Sequence, residues 1–186
     1  MTTAGGPPRR CAVFLDRDGT IIEDVRYLRN PDDVRLLPGA AESIRRLNAR
    51  GFLVIVATNQ SGIARGILSR NDYQLTEQRV DALLQAEGAH LDAHYFCPHL
   101  PEITGPCDCR KPGVLLYRQA AEQFDIDLPG SWWVGDRLRD VLPAETFDAH
   151  GILVHGRPET EDESASRFAH APDLRGAVDL ILNQHS

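Results

Sequence analysis

Residues 11–20 read CAVFLDRDGT. Ala12, Val13, Phe14 and Leu15 form an unbroken apolar run that ends on acid, the pattern of a buried strand with its polar residues at the C-terminal end. Asp16 and Asp18 stand one residue apart, and Gly19 lets the backbone turn sharply after them. Two carboxylates placed this way can divide labour, one as nucleophile and the other protonating a leaving group, while a divalent cation screens an incoming phosphate. A lone D-x-D also suits an Asx-rich turn capping a strand, so the meaning of the segment depends on its company.

Outward from it, the chain alternates. Pro38-Gly39 opens a helix over residues 40–50, with Ala40, Ile44 and Leu47 at helical spacing and Gly51 as its stop. Residues 52–57, FLVIVA, form a second buried strand, followed by the polar stretch Thr58-Asn59-Gln60-Ser61-Gly62. Ser69 is an N-cap for a helix to about Glu87, with a weaker strand at 91–96. Further on come a helix at 113–124, a strand at 132–134 ending in Gly135-Asp136, a helix at 138–149 and a strand at 151–155. A polar loop over 157–170 leads to a last helix at 173–183. Strand–helix alternation implies parallel βαβ units, hence an α/β, doubly wound parallel sheet whose ligands bind beyond the C-terminal edges of its strands. The spans between Gly19 and Pro38 and between Thr58 and Arg70 are too short for an inserted cap domain. The 186 residues read as a single domain with residues 1–10 as a disordered extension.

The composition, 42% hydrophobic and 25% charged, is that of a folded protein. A net charge of −7 without a long basic run argues against nucleic acid as a partner. No stretch approaches the roughly 18 apolar residues a membrane span requires, and the first ten residues lack an apolar segment, so a cytoplasmic protein is expected. No heptad or exposed apolar stripe calls for a protein partner, and a monomer is expected.

The company of Asp16 and Asp18 is chemical. Thr58 ends the second strand, Lys111 follows a cysteine-rich loop, and Asp136 ends a later strand. A phosphoryl-transfer site needs a hydroxyl and a cation on the phosphate oxygens and a distant carboxylate to complete a magnesium shell. Each residue alone has a plainer role, as turn residue, solvated charge or helix cap; together, at sheet edges, they point to phosphate chemistry. The loop from residue 97 to 109 carries Cys97, His99, Cys107 and Cys109, C-x-H and C-x-C separated by seven residues. That is a full tetrahedral set with no open position, which reads as structural zinc. Cys11, in the first strand, reads as a small buried hydrophobe.

DRDGT at 16–20, TNQSG at 58–62, CRKP at 109–112 and VGD at 134–136 resemble, in this order, the motifs of the haloacid dehalogenase (HAD) superfamily, and more narrowly its heptose-bisphosphate phosphatase and histidinol-phosphatase branch. The resemblance implies a capless HAD-like fold with a zinc loop and a Mg²⁺-dependent phosphomonoester hydrolase. In it Asp16 forms an aspartyl-phosphate and Asp18 serves as general acid and then activates water. Thr58 and Lys111 hold phosphoryl oxygens, and Mg²⁺ is bound by Asp16, the backbone carbonyl of Asp18 and Asp136. It also implies substrate contacts from Asp24, Val25, Arg26, Tyr27, Asn59, Gln60, Ser61, Arg110 and Arg137. Arginines there would suit a second anionic group, and so a small sugar bisphosphate. Residues 27–38 and the TNQSGIARG stretch are similar to the heptose enzymes. The short zinc loop is closer to the histidinol-phosphate enzymes, which stay as an alternative beside the heptose bisphosphate. A non-catalytic zinc-stabilised binding module is the non-enzyme alternative, and a phosphotransferase would need a cap to exclude water.

Overall fold

The computed structural model describes residues 9–154 and 167–184. Six parallel strands form one sheet in the order β3-β2-β1-β4-β5-β6. In chain order the elements are β1 (Ala12–Leu15), α1 (Ala40–Ala49), β2 (Leu53–Asn59), α2 (Ser61–Ala64), α3 (Arg70–Ala86), β3 (Ala93–Cys97), α4 (Pro101–Thr104) and α5 (Leu115–Phe124). They continue with β4 (Trp132–Gly135), α6 (Leu138–Val141), α7 (Pro143–Thr146), β5 (His150–Val154), β6 (Ala169–Ala171) and α8 (Leu174–Gln184).

Strand β1 is central and buried on both faces, and its alternation sorts the core. Val13 and Leu15 join Val54, Val56, Trp132 and Val134 in a layer closed by Ile44 and Leu47 of α1 and Val178 and Ile181 of α8. Ala12 and Phe14 face the other way, with Ile55 and Trp133, against Leu116, Tyr117 and Ala120 of α5. Phe14 packs edge-on to Tyr117, ring centroids 5.0 Å apart. Side chains of period two in a strand covered by helices of period 3.6 produce this three-layer sandwich. Helix α3 starts with a capping box: Ser69 Oγ accepts from Asp72 N at 3.0 Å, and Asp72 Oδ2 accepts from Ser69 N at 2.7 Å.

Three expectations are corrected. The helix expected over residues 138–149 is two four-residue helices, broken at Leu142 because Pro143 opens the second and has no N–H to donate back into the first. The loop expected through residue 170 contains β6, which pairs in parallel with β5, Leu153 opposite His170. Its three residues carry little strand propensity of their own, and the edge of β5 supplies the hydrogen bonds that hold them extended. The extension expected to be disordered through residue 10 is ordered at its last two described residues, where Arg10 bridges to Ile126 and Arg9 pairs with Asp125 at 3.0 Å. Residues 1–8, and most of the polar stretch after β5 including His155, lie outside the described residues.

No cap is inserted. Between β1 and α1 the regular structure is a three-residue 3-10 turn, Pro31–Asp33, and between β2 and α3 it is the four-residue α2. No helix among the described residues is long and apolar enough to cross a membrane. The cleft at the C-terminal edge of the sheet is therefore roofed by side chains from short loops.

Candidate active site

The strand order places β2, β1 and β4 side by side, so their C-terminal ends converge. Asp16 follows β1 directly and is held in line by its own N–H, which donates to Val134 O of β4 at 2.9 Å. Gly19 has φ +83°, and a Cβ there would stand 2.8 Å from Asp136 Oδ2, so the turn after the two aspartates admits only glycine while Asp136 keeps its place. Gly62 is needed for a different reason: a Cβ there would stand 2.7 Å from Cδ1 of Tyr27, whose ring packs onto the TNQSG turn.

Lys111 is the centre of the charge arrangement. Its Nζ lies 2.6 Å from Asp16 Oδ1 and 2.7 Å from Asp140 Oδ1, and donates to Ala57 O at 2.7 Å, with the side chain 1% exposed. Asp140 and Asp16 hold the ammonium above its ordinary value in spite of its burial, so Lys111 stays charged. Its backbone is clamped by Asn59, whose Oδ1 accepts from Lys111 N at 3.0 Å and whose Nδ2 donates to Lys111 O at 3.3 Å. Asp16, Asp136 and Asp140 bring carboxylate oxygens within 4.8 Å of one another. Burial, then the charges of Asp16 and Asp140, push Asp136 up to about 6. Lys111 and the largely exposed Arg137, whose Nε lies 3.1 Å from Asp136 Oδ2, leave three clustered carboxylates with negative charge in excess, and a hard divalent cation with oxygen ligands fits the remainder.

That fit carries a pH consequence. The folded protein holds a proton on Asp136 more tightly than the unfolded chain does, so without metal this site contributes stability below pH 3.8 that is lost as pH rises through about 6. Binding of Mg²⁺ to the ionised form would run the other way. The melting-temperature gain on adding Mg²⁺ is expected to grow between about pH 5 and about pH 7.5. A gain independent of pH, measured by thermal melts at fixed ionic strength, would contradict a metal on Asp136.

Asp18 faces the same cleft. Both of its oxygens accept from the Arg17 guanidinium, and Gln60 Nε2 donates to Oδ2 at 2.9 Å and to Thr58 Oγ1 at 3.1 Å. The cleft lining includes Asp16, Asp18, Thr58, Lys111 and Asp136, together with Asp24, Arg26, Tyr27, Asn59, Gln60, Ser61 and Arg137. Two of the expected substrate contacts are not in that lining. Val25 is 46% exposed and turned to the outer surface, and Arg110 donates to His99 O at 3.1 Å, tied back to the cysteine loop. Five lining residues were given no role by the sequence reading, and three of them are charged: Arg17, Arg139 and Asp140, beside Leu28 and Gly62. The spacing of Asp136 and Asp140, four residues apart where a helix begins, puts both carboxylates on one side of the turn and was the available signal.

At the loop, Cys97, His99, Cys107 and Cys109 bring three Sγ atoms and Nδ1 within 4.8 Å of one another. Cys97 Sγ lies 3.7 Å from Cys107 Sγ and 3.0 Å from Cys109 Sγ, and His99 Nδ1 lies 3.2 Å from Cys109 Sγ. Thiolates about 2.3 Å from a tetrahedral zinc are about 3.8 Å apart, so the set is compatible with that ion. Burial pushes the Cys97 and Cys109 thiols up, the reverse of what ligation needs, and a bound cation would supply the compensating charge.

The HAD-hydrolase-like family profile matches residues 108–180. The chain is 44% identical over 140 residues to the D-glycero-beta-D-manno-heptose-1,7-bisphosphate 7-phosphatase of Haemophilus ducreyi, covering 73% of this chain and 77% of that one. It is 35% identical over 179 residues to the enzyme of the same name from Escherichia coli K12, covering 92% and 88%. Among solved structures, the D,D-heptose 1,7-bisphosphate phosphatase of B. bronchiseptica, complexed with magnesium and phosphate, superposes with a TM-score of 0.80 at 32% identity, over 94% of this chain and 99% of that one. With these relatives and this geometry, the chain belongs to the HAD phosphatases, in the family of the D-glycero-β-D-manno-heptose-1,7-bisphosphate 7-phosphatases.

Proposed function

We propose that this protein hydrolyses the 7-phosphate of D-glycero-D-manno-heptose 1,7-bisphosphate through an aspartyl-phosphate on Asp16, as a cytoplasmic monomer. The observation that carries the reading is the 2.6 Å pair of Asp16 with a fully buried Lys111 at the convergence of three strand ends. A carboxylate can approach a phosphate dianion only where cations face both.

Asp16 attacks phosphorus, and the P–O bond to the sugar breaks as the new O–P bond forms. Asp18 gives its proton to the departing sugar oxygen, then takes one from the water that cleaves the acyl phosphate, releasing inorganic phosphate and restoring Asp16. Lys111 and Thr58 hold the transferring oxygens. Asp16, Asp136 and the carbonyl of Asp18 would hold Mg²⁺, which would neutralise charge between nucleophile and phosphate. Asp140 keeps Lys111 in place rather than serving the substrate, through the 2.7 Å contact. Arg26, Arg137 and Arg139 at the cleft rim offer guanidinium forks for the second phosphate of a bisphosphate. The names of the relatives favour the heptose substrate over histidinol phosphate.

Phosphate release with Mg²⁺ from heptose 1,7-bisphosphate and from histidinol phosphate, assayed side by side, tests this. The heptose ester is expected to win in kcat/KM by at least about a hundredfold, given two extra charge-assisted contacts. A preference for histidinol phosphate would move the substrate while keeping the chemistry.

We assign the cysteine loop a structural zinc whose role is to seat Arg110 and Lys111, which directly follow its last ligand. Cys107→Ser is expected to lose zinc and about tenfold to a hundredfold in activity. The Asn59 clamp limits the loss. Full activity in a zinc-free variant, with metal content measured on the same sample, would remove that role.

A further inference from the structure

We propose that Arg17, the residue between the two aspartates, is a positioning residue for Asp18 that fixes which carboxylate oxygen carries the transferred proton; this rests on the acid–base role given to Asp18 above. A charged residue in a polar turn is ordinarily solvated, but Arg17 is 1% exposed. Burial of a guanidinium is costly unless its donors are matched, and here they are.

Nε donates to Asp18 Oδ2 at 3.2 Å, and Nη2 reaches Oδ1 and Oδ2, both at 2.9 Å. On its outer side Nη1 donates to Thr76 Oγ1 at 3.2 Å. Thr76 spends its own proton on Tyr73 O at 2.7 Å, so its oxygen is turned to accept. The guanidinium carbon lies 5.1 Å from the centroid of the Tyr73 ring. Helix α3 thus holds the arginine from behind, and the arginine holds the carboxylate from the side.

The two oxygens of Asp18 are not equivalent in this frame. Oδ2 accepts from Nε, Nη2 and Gln60 Nε2, while among the described residues Oδ1 accepts from Nη2 alone. A proton added to Oδ2 would meet three donors; Oδ1 keeps lone-pair capacity and is the oxygen that carries it. Without the fork the carboxyl turns about its Cβ–Cγ bond and the distinction is lost. The side chain of Arg17 does not need to touch the substrate for this.

A pair that only anchored α3 to the sheet would affect every substrate alike. A positioning role for the acid affects substrates according to how much their leaving group needs a proton. Arg17→Lys keeps the charge and abolishes the fork. Its kcat/KM on heptose 1,7-bisphosphate, whose alkoxide must be protonated, is expected to fall by about a hundredfold. On p-nitrophenyl phosphate, whose anion leaves unaided, it is expected to fall less than about fivefold. Equal losses on both esters, or no loss, overturn the proposal. If circular dichroism shows the Arg17→Lys protein unfolded, Thr76→Val decides instead. It removes the outer tether at constant shape, and a loss of about fivefold confined to the alkyl ester is expected; a uniform or absent loss overturns the proposal. Wild-type protein that releases phosphate from neither ester would instead refute the phosphatase reading on which the proposal stands.

Discussion

Asp16→Asn is expected to abolish phosphate release, by at least about 10⁴-fold in kcat, and to leave the metal-free protein no less stable than the wild type. The first half follows from chemistry: a carboxamide cannot form the acyl phosphate, and no second carboxylate can replace it, since Asp140 is engaged with Lys111 and Asp136 sits at the end of another strand. The second half follows from the charge count. Asp16, Asp136 and Asp140 share one buried cation, Lys111, beside the exposed Arg137 that pairs with Asp136 at 3.1 Å, and Asp16 is among the causes that push Asp136 up to about 6. The substitution removes one negative charge from a cluster that burial leaves in excess of its cations, while Lys111 keeps Asp140 and the Ala57 carbonyl. Strain of this kind at a catalytic cluster is the usual origin of a stability–activity trade-off. Initial rates with Mg²⁺ and thermal melts in a chelator check the two halves separately. A variant that retains more than about a thousandth of the activity would remove Asp16 from the nucleophile's role. A marked fall in melting temperature would show that the pair with Lys111 outweighs the repulsion.

Lys111→Met is expected to do the opposite to stability. It removes the cation and leaves two carboxylates facing each other around a side chain 1% exposed, with Asp140 itself 3% exposed. Breaking a buried pair by deleting one partner costs about 3–5 kcal/mol, because the survivor stays buried and uncompensated. Activity falls with it by about 10³-fold or more, since the transferring phosphoryl group loses its fixed cation. Mg²⁺ is expected to recover part of the stability and little of the rate, as a metal near Asp16 and Asp136 can screen the cluster but cannot stand where Nζ stood. Urea unfolding with and without Mg²⁺ measures the first effect. In the double variant with Asp16→Asn the stability loss is expected to be smaller than in Lys111→Met alone, since fewer charges are left stranded. A loss equal in both backgrounds would mean that Lys111 acts through packing.

The alternation of buried runs with helical segments was enough to identify a parallel sheet, because a strand covered on both faces has to be apolar along its buried length, as residues 12–15 and 53–57 are. What failed locally failed for physical reasons. Strand β6, Ala-His-Ala, has no apolar run or β-branched residue to betray it; it is extended because β5 offers unpaired backbone groups. Pro143 breaks the helix of residues 138–149 at a point visible in the sequence, yet α7 resumes at once, because proline's fixed φ suits a first turn.

In the site, the identity of the reacting groups was readable and their pairing was not. DRDGT, TNQSG, CRKP and VGD each announce a residue type that phosphate chemistry needs; DRDGT, TNQSG and VGD lie at the C-terminal ends of buried strands, and CRKP follows the cysteine loop beyond β3. That Arg110 turns back to His99 while Lys111 enters the cleft depends on which way one peptide after Cys109 faces, a choice made by the Asn59 clamp from a different strand. That Asp140 holds Lys111, and that Arg17 is buried behind Asp18, are contacts between residues 29 and 59 positions apart, Lys111 with Asp140 and Arg17 with Thr76. The sequence by itself determined which segments become strands and helices, the parallel doubly wound class and the chemistry available at the sheet's edge, since hydrophobic periodicity and residue type are local properties. Only the tertiary structure decided which charge neutralises which, because the free energy of a buried charge depends on partners that the fold, and not the chain, brings within 3 Å.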